Sequence, residues 1–480
     1  MGLEYRMYIK GGFCDAQDQR TIGVLNPATE EVIREVPYGG RADAARAVAA
    51  AATALPGWRG KTAAERSRPV LRVAELMRER LEPMARTLTQ EVGKTLSESR
   101  GELLAAAAQF EWYAEEVKRR WGEWVPGPAA EKRLFTMRMP VGVAGAIAPW
   151  NFPALLLSRK VAPALACGCT VVARPASQTP LVSMEIWNCL HEAGFPAGTA
   201  NLVTGPPGEI ADEFMLNPAV RKISFTGSVA VGKELMAKAS GQLKKLSLEL
   251  GGHSPFIVCD DVPVEEAAAK AVTAKFRNMG QVCISPSRFY VPERMEKEFA
   301  RLAAQKAGAL RIGDGLLADT DAGPLHDRLR VAAMEALVQD IIAKGGKVLC
   351  GGKRPAGEKY QRGFWFEPTV ATGITRDMLI MQEEPFGPIL PIIAYRDLEQ
   401  AVQEANDTPF GLAAYVLTHD LSRAFKLGEA LEAGIIGIND IAPAAAQVPF
   451  GGMKESGLGR EGGREGIDAY TELKYLSLVI

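Results

Sequence analysis

Histidine is scarce, with four in 480 residues, and the cysteines (Cys14, Cys167, Cys169, Cys189, Cys259, Cys283 and Cys350) are odd in number and scattered. Such spacing is no disulfide framework, and a reducing, cytoplasmic setting is expected. Cys167 and Cys169 have neither a second pair nor a nearby histidine, so no metal site is expected. Charge of one sign is lacking too. The 56 basic and 57 acidic residues nearly balance, and no block of like charge occurs. Nucleic acid and an anionic membrane surface are therefore not expected partners. The longest apolar stretch, 141–157, is broken by Pro149 and Pro153 and contains Asn151, so it reads as buried strand and loop and not as a membrane span. The opening residues mix acid and base with no apolar stretch, and no secretory leader is expected. At this length one core does not suffice, and two or three domains are expected.

Short strands and turns are expected over 7–36, and helix from 42 to about 109, where Val70, Val73, Ala74 and Met77 show the helical repeat. Trp121 to Met139, with Pro126, Gly127 and Pro128, reads as a projecting hairpin. From 141 strands (141–148, 170–173, 200–203, 222–225, 245–250) alternate with helices (179–193, 207–216, 229–239). That alternation predicts a parallel, doubly wound nucleotide-binding sheet. A second α/β series begins near Gly252, with strands 256–259 and 288–291 and helices 263–276 and 293–308. The last stretch, 469–480, reads as a strand needing an edge to join, which the hairpin of this or a neighbouring subunit offers.

The chain is organised around Phe276-Arg-Asn-Met-Gly-Gln-Val-Cys283-Ile-Ser-Pro-Ser-Arg288. A cysteine where a helix gives way to a strand, between Gly280 and Pro286, can present a thiol to a cleft and serve as a nucleophile. Alone, a cysteine is more often a small buried hydrophobe. Pro149-Trp-Asn151-Phe-Pro153 fixes a backbone around an amide able to donate to an oxyanion, or merely to satisfy its own turn. Leu248-Glu249-Leu250-Gly-Gly252 puts a carboxylate at an apolar strand end, where burial suits it to general-base work; a salt-bridged glutamate at a domain junction is the alternative. Phe225-Thr-Gly227-Ser228, with Gly232 beyond, offers a pyrophosphate seat at a helix start, or an ordinary turn with Ser228 as N-cap. In Glu383-Glu384-Pro-Phe386-Gly-Pro388 the acid suits ribose hydroxyls and the ring suits stacking, against a solvated turn. His253, four residues after Glu249, reads as structural.

Taken together and in order, these strings and Pro449-Phe450-Gly-Gly452 resemble the aldehyde dehydrogenase superfamily over essentially the whole chain. The resemblance implies a Rossmann-type cofactor domain (1–120 and 140–251), an α/β catalytic domain (252–446), and an oligomerisation element with a C-terminal strand (121–139 and 447–480). It implies a homodimer or homotetramer. It implies that Cys283 attacks an aldehyde, that Asn151 and the Cys283 N–H hold the oxyanion, that hydride leaves to a nicotinamide cofactor, and that Glu249 activates water against the thioester. Trp150, Arg174, Ser177, Gly227, Ser228, Gly232, Leu250, Glu384 and Phe386 become expected cofactor residues. Phe450, Arg159 and Arg277 become expected substrate residues.

Within the superfamily the chain is similar to the succinate-semialdehyde and 2-oxoglutarate-semialdehyde dehydrogenase branch. Many members have lysine at Arg174, and NAD-preferring ones often have glutamate at Ser177. Serine does not repel a 2′-phosphate and arginine offers it a planar fork, so NADP is favoured with NAD accepted. Arg159 and Arg277 are expected to fix a carboxylate at the far end of the aldehyde; the alternative is a pair of structural salt bridges. Ala444 stands where the succinate-semialdehyde branch has a serine, and Ser285 where some relatives have a second cysteine. A carboxylate-bearing semialdehyde is thus the expected substrate. The alternatives are a broad aldehyde dehydrogenase for neutral aldehydes and a non-catalytic binding or structural protein, against which Cys283, Glu249 and Asn151 together argue.

Overall fold

The computed structural model describes residues 2–119 and 122–480. Among them, five parallel strands form the centre of an 8-stranded sheet, in the order Ala200–Leu202, Thr170–Arg174, Val143–Ile147, Val220–Thr226 and Lys245–Glu249. Thr170–Arg174 and Val143–Ile147 are buried throughout, as parallel strands covered on both faces require. The crossover helices Leu181–Glu192, Pro207–Leu216 and Val229–Ala239 lie where the sequence pattern placed helix, whereas Pro153–Cys167 is a helix that starts inside the 141–157 stretch read as strand and loop, with Pro153 at its first turn. The chain steps outward from Val143–Ile147 to one edge, then returns across it to Val220–Thr226. Strand order reverses there, and a crevice outside the carboxyl ends at such a point is where doubly wound sheets bind ligands. The loops entering that crevice are 148–152 and 227–228.

The expected helical region is four helices, Arg41–Arg59, Ala63–Glu79, Leu81–Val92 and Leu96–Glu116, and it runs past residue 109. Thr62 with Glu65 and Thr95 with Glu98 form capping boxes that start the second and fourth.

The second sheet has seven strands, in the order Lys347–Cys350, Thr369–Thr372, Ile389–Tyr395, Pro286–Pro292, Ser254–Val258, Ala413–Leu417 and Ile435–Ile438. Only the first is antiparallel to its neighbour. Gly457–Leu458, from the segment expected to belong to the oligomerisation element, is the outer strand of the first sheet against Leu248 and Glu249.

The terminal strand, Thr471–Val479, joins the hairpin of its own subunit, from Thr471 opposite Pro140 to Val479 opposite Lys132. Residues 469 and 470, read as strand from sequence, instead close the short helix Glu465–Tyr470. Trp121, where the hairpin was expected to begin, lies outside the described residues. Among the described residues no helix is long and apolar enough to cross a membrane, and no cluster of metal-ligating side chains occurs.

Candidate active site

The cysteine loop is built on strained backbone. Between the helix Val264–Phe276 and the strand Pro286–Pro292, Asn278, Met279 and Gly280 all have positive φ, at 45°, 53° and 70°. Two left-handed non-glycine residues in a row are costly and need local compensation. Asn278 supplies it: its N–H donates to Glu98 Oε1 at 2.6 Å, and its side chain donates to Gln281 O at 3.2 Å and Asn151 O at 3.3 Å. At Gly280 a Cβ would lie 2.2 Å from Gly387 O, so only glycine lets this loop rest on the 384–388 turn. At Gly252 a Cβ would lie 2.7 Å from Cys283 O. The two glycines thus bring Glu384 and the end of the first sheet up to the thiol.

Cys283 is half-buried in the wall of a cavity of about 440 Å³ shared with Trp150, Asn151, Gly227, Ser228, Leu250, Glu384 and Phe386. Burial, and then the Glu384 carboxylate, push the thiol up to about 12, while Arg159 pulls it down. Before ligands bind, the sulfur is therefore a neutral thiol at pH 7. Asn151, buried, spends one of its two amide donors on Gln281 O at 3.1 Å. Glu249 ends its strand buried, and neither carboxylate oxygen has a partner. Burial first and Glu461 next hold its carboxyl well above the ordinary range, against Lys160, Arg159 and Arg460. A carboxyl so buried and raised is suited to general-base work.

Asn151 is held from behind by a fully buried ion pair. Lys94 Nζ donates to Asn151 O at 2.8 Å and to Glu102 Oε2 at 2.6 Å. Glu102 Oε1 accepts from the N–H groups of Ala154 and Leu155, at the positive start of the Pro153–Cys167 helix. Removing one partner strands the other charge. Glu102→Ala should cost about 3–5 kcal/mol of stability and lower turnover by freeing Asn151, as equilibrium denaturation and steady-state rates on the same preparation would show. Behind Glu249, buried Lys160 donates to Glu461 Oε1 at 2.5 Å and Thr226 Oγ1 at 2.6 Å. None of Lys94, Glu98, Glu102, Lys160 or Glu461 stands out in the sequence, because each lies in an ordinary helical or loop string.

A second cavity, of about 590 Å³, adjoins the first across Trp150 and contains Arg174 and Ser177. Arg174 donates to Ser177 Oγ at 2.8 Å and Gly205 O at 3.1 Å, while its buried Nε has no partner. Burial pulls the guanidinium down to about 10, so it stays charged at neutral pH. A buried cation with a spare donor and no carboxylate beside it fits a phosphate-bearing adenosine end. At the other end, Glu384 Oε1 accepts from Gly252 N–H at 3.2 Å, and burial pushes this carboxyl up to about 7. The two adjoining cavities together hold a donor set that fits a nicotinamide dinucleotide. Ser228 also caps its helix, accepting from Val231 N–H, and Gly232 lies in neither cavity wall but packs under Leu250.

Arg159, Arg277 and Phe450 lie outside both cavity walls, around the apolar cluster that holds Phe152, Leu156, Val282 and Ile284. Arg159 is 3% exposed, its guanidinium carbon 4.1 Å from the centre of the Phe450 ring. Among the described residues it has no ion pair or hydrogen bond, and its Nε is buried unpaired. Arg277 is exposed, 5.2 Å from the centre of Phe152. His253 is a structural side chain, buried with Nε2 3.1 Å from Ile380 O.

A thiol and an amide donor in one cavity wall, an unpaired carboxyl buried at the end of the adjoining strand, and a neighbouring cavity that fits a dinucleotide suit an oxidoreductase that works through a cysteine-bound acyl group. The chain matches the aldehyde dehydrogenase family over residues 13–476, and it belongs to that family. It is 45% identical over 473 residues to a glutarate-semialdehyde dehydrogenase of Pseudomonas putida, covering 98% of this chain and 97% of the relative. It is 45% identical to a succinate-semialdehyde dehydrogenase of Escherichia coli that carries NADP(+) in its name, with the same coverage. The crystal structure of a succinate-semialdehyde dehydrogenase from Burkholderia pseudomallei matches with a TM-score of 0.97 at 44% identity, covering 100% of this chain and 98% of that one.

Proposed function

We propose that the protein oxidises an aldehyde bearing a carboxylate at its far end, such as succinate semialdehyde, to the diacid with NADP or NAD. The observation that carries the reading is Arg159, a buried cation with no acid partner whose charge reaches both Cys283 and Glu249. An uncompensated buried charge is costly, and a substrate carboxylate is the partner that repays it. Exposed Arg277 stands as the outer guide.

Cys283 Sγ gives its proton to solvent in the open cavity as it bonds to the aldehyde carbon, and the oxygen takes the negative charge facing the Asn151 amide and the Cys283 N–H. The cofactor, when bound, accepts the hydride. Glu249 then takes a proton from water, the hydroxide attacks the thioester, and Cys283 leaves as thiolate. Lys94 and Glu102 keep Asn151 in place throughout. Arg174 beside Ser177 favours a cofactor carrying a 2′-phosphate, with NAD still accepted.

Ala444 and Ala445 are small and exposed, and glutarate semialdehyde belongs in the comparison. The test is kcat/KM for succinate and glutarate semialdehydes against butanal, each with NADP and NAD. Equal efficiency on all three would return a broad aldehyde dehydrogenase. Arg159→Ala should raise KM for the anionic substrates about tenfold or more, as loss of a charge-assisted contact implies, and leave butanal unchanged. The free nine-residue outer strand, with Leu473, Tyr475 and Val479 exposed, supports a homodimer or homotetramer.

A further inference from the structure

His326 takes no part in the chemistry above, yet it lies in the wall of the Arg174 cavity. Its ring lies flat on the Trp150 indole, with centroids 4.1 Å and planes 10° apart, and Trp150 meets the Phe386 ring edge-on at 5.7 Å. The backbone N–H of His326 donates to Gln281 Oε1 at 2.9 Å, tying it to the cysteine loop. The residue is 6% exposed. Nδ1 is buried without a partner, and among the described residues no hydrogen bond reaches either ring nitrogen. Nδ1 therefore bears the cost of a buried unpaired polar atom, while Nε2, which is not buried and belongs to a residue of the cavity wall, is the nitrogen a ligand can reach. Burial pulls the ring down to about 4, against Asp327, so it is a neutral donor and acceptor at working pH. An apolar side chain would stack on Trp150 without that cost.

Its place in the crevice says what pairs with it. Pro149, Trp150, Thr226 and Asp327 line both cavities, whereas His326 lines only the one with Arg174 and Ser177. A molecule spanning from Arg174 to Cys283 passes the Trp150–His326 rings at its middle. In a dinucleotide the middle is a diphosphate joined to the second ribose, a row of acceptors and hydroxyls. We infer that His326 is a cofactor-binding residue whose imidazole, held flat by Trp150, hydrogen-bonds the diphosphate–ribose linkage of the nicotinamide dinucleotide. This rests on the cofactor reading proposed above.

The test is equilibrium binding of NADPH and of the fragment 2′,5′-ADP, by fluorescence and calorimetry, to the full chain and to His326→Phe, which keeps a stacked ring and removes both nitrogens. The dissociation constant for NADPH should rise about tenfold, as for one lost hydrogen bond to a charged group. That for 2′,5′-ADP, which reaches only the Arg174 end, should not move, and His326→Gln should recover part of the loss. Wild-type NADPH affinity in His326→Phe overturns the inference. So does an equal loss for the fragment or a lowered unfolding temperature without ligand, either of which would mark a packing defect. Absence of NADPH binding by the unaltered protein would overturn the cofactor reading itself, and with it the inference.

Discussion

Cys283→Ala should leave less than about 10⁻⁴ of the aldehyde-oxidising rate, with NADPH binding unchanged. The size of the effect follows from the cavity. Besides Cys283 and the carboxylates of Asp327 and Glu384, the side chains lining the space between Trp150 and Glu384 offer the hydroxyls of Thr226 and Ser228 as nucleophiles. Thr226 Oγ1 is occupied by Lys160 at 2.6 Å, and Ser228 Oγ caps its own helix. Neither can substitute for the sulfur. The thiol is also a small part of the cofactor's surroundings, since Arg174 and Ser177 lie in the other cavity, so removing Sγ should not loosen the dinucleotide. The measurement pairs a progress curve of reduced cofactor with a fluorescence titration on the same sample. Turnover retained above 1% of wild type would remove Cys283 as the nucleophile.

The candidate residues of the proposed reacting centre could be picked out in sequence because each sits in a short string whose chemistry is local. Asn151 between two prolines, Glu249 before two glycines and Cys283 after Gly280 announce a bent backbone and a functional group together. The order of strands and helices from 141 onward was legible for a similar reason: period and punctuation are local too. What holds these groups is not local. Lys94 reaches Asn151 across 57 residues, and Lys160 reaches Glu461 across 301. A lysine in a helix reads as a solvated face, and nothing in its neighbours says that this one is buried. His326 was invisible for the same reason, since its partner Trp150 is far away in the chain and the meaning of the pair lies in a cavity wall. The Arg174–Ser177 bond was half legible: both residues were expected at the adenosine end, but not that the guanidinium would already be anchored there.

That division between groups that react and groups that hold them shapes what removing Glu249 should do. Glu249→Gln should allow one equivalent of reduced cofactor per site and then stall, with steady turnover lower by about 10²–10⁴-fold, the usual share of a general base. Acylation needs the thiol and the amide, both left intact, whereas thioester hydrolysis needs a base for water. Its buried oxygens, both unpaired, lie against the Lys160–Glu461 pair, and the near-isosteric amide keeps that packing. The pH profile adds a sign. The base works as carboxylate, and burial with Glu461 raises its carboxyl well above 4.5. In the wild type, steady turnover should therefore fall as pH drops through that raised value, so the acid limb lies above the ordinary carboxylate range. The burst should not share that limb, because it precedes the step needing Glu249, and the limb should vanish from the residual rate of Glu249→Gln. Stopped-flow bursts with steady rates across pH 5 to 9 would read both. Steady turnover at the wild-type rate in Glu249→Gln would exclude it as the base and leave Glu384, whose carboxyl burial holds at about 7 in the same cavity as Cys283, as a group able to take the proton.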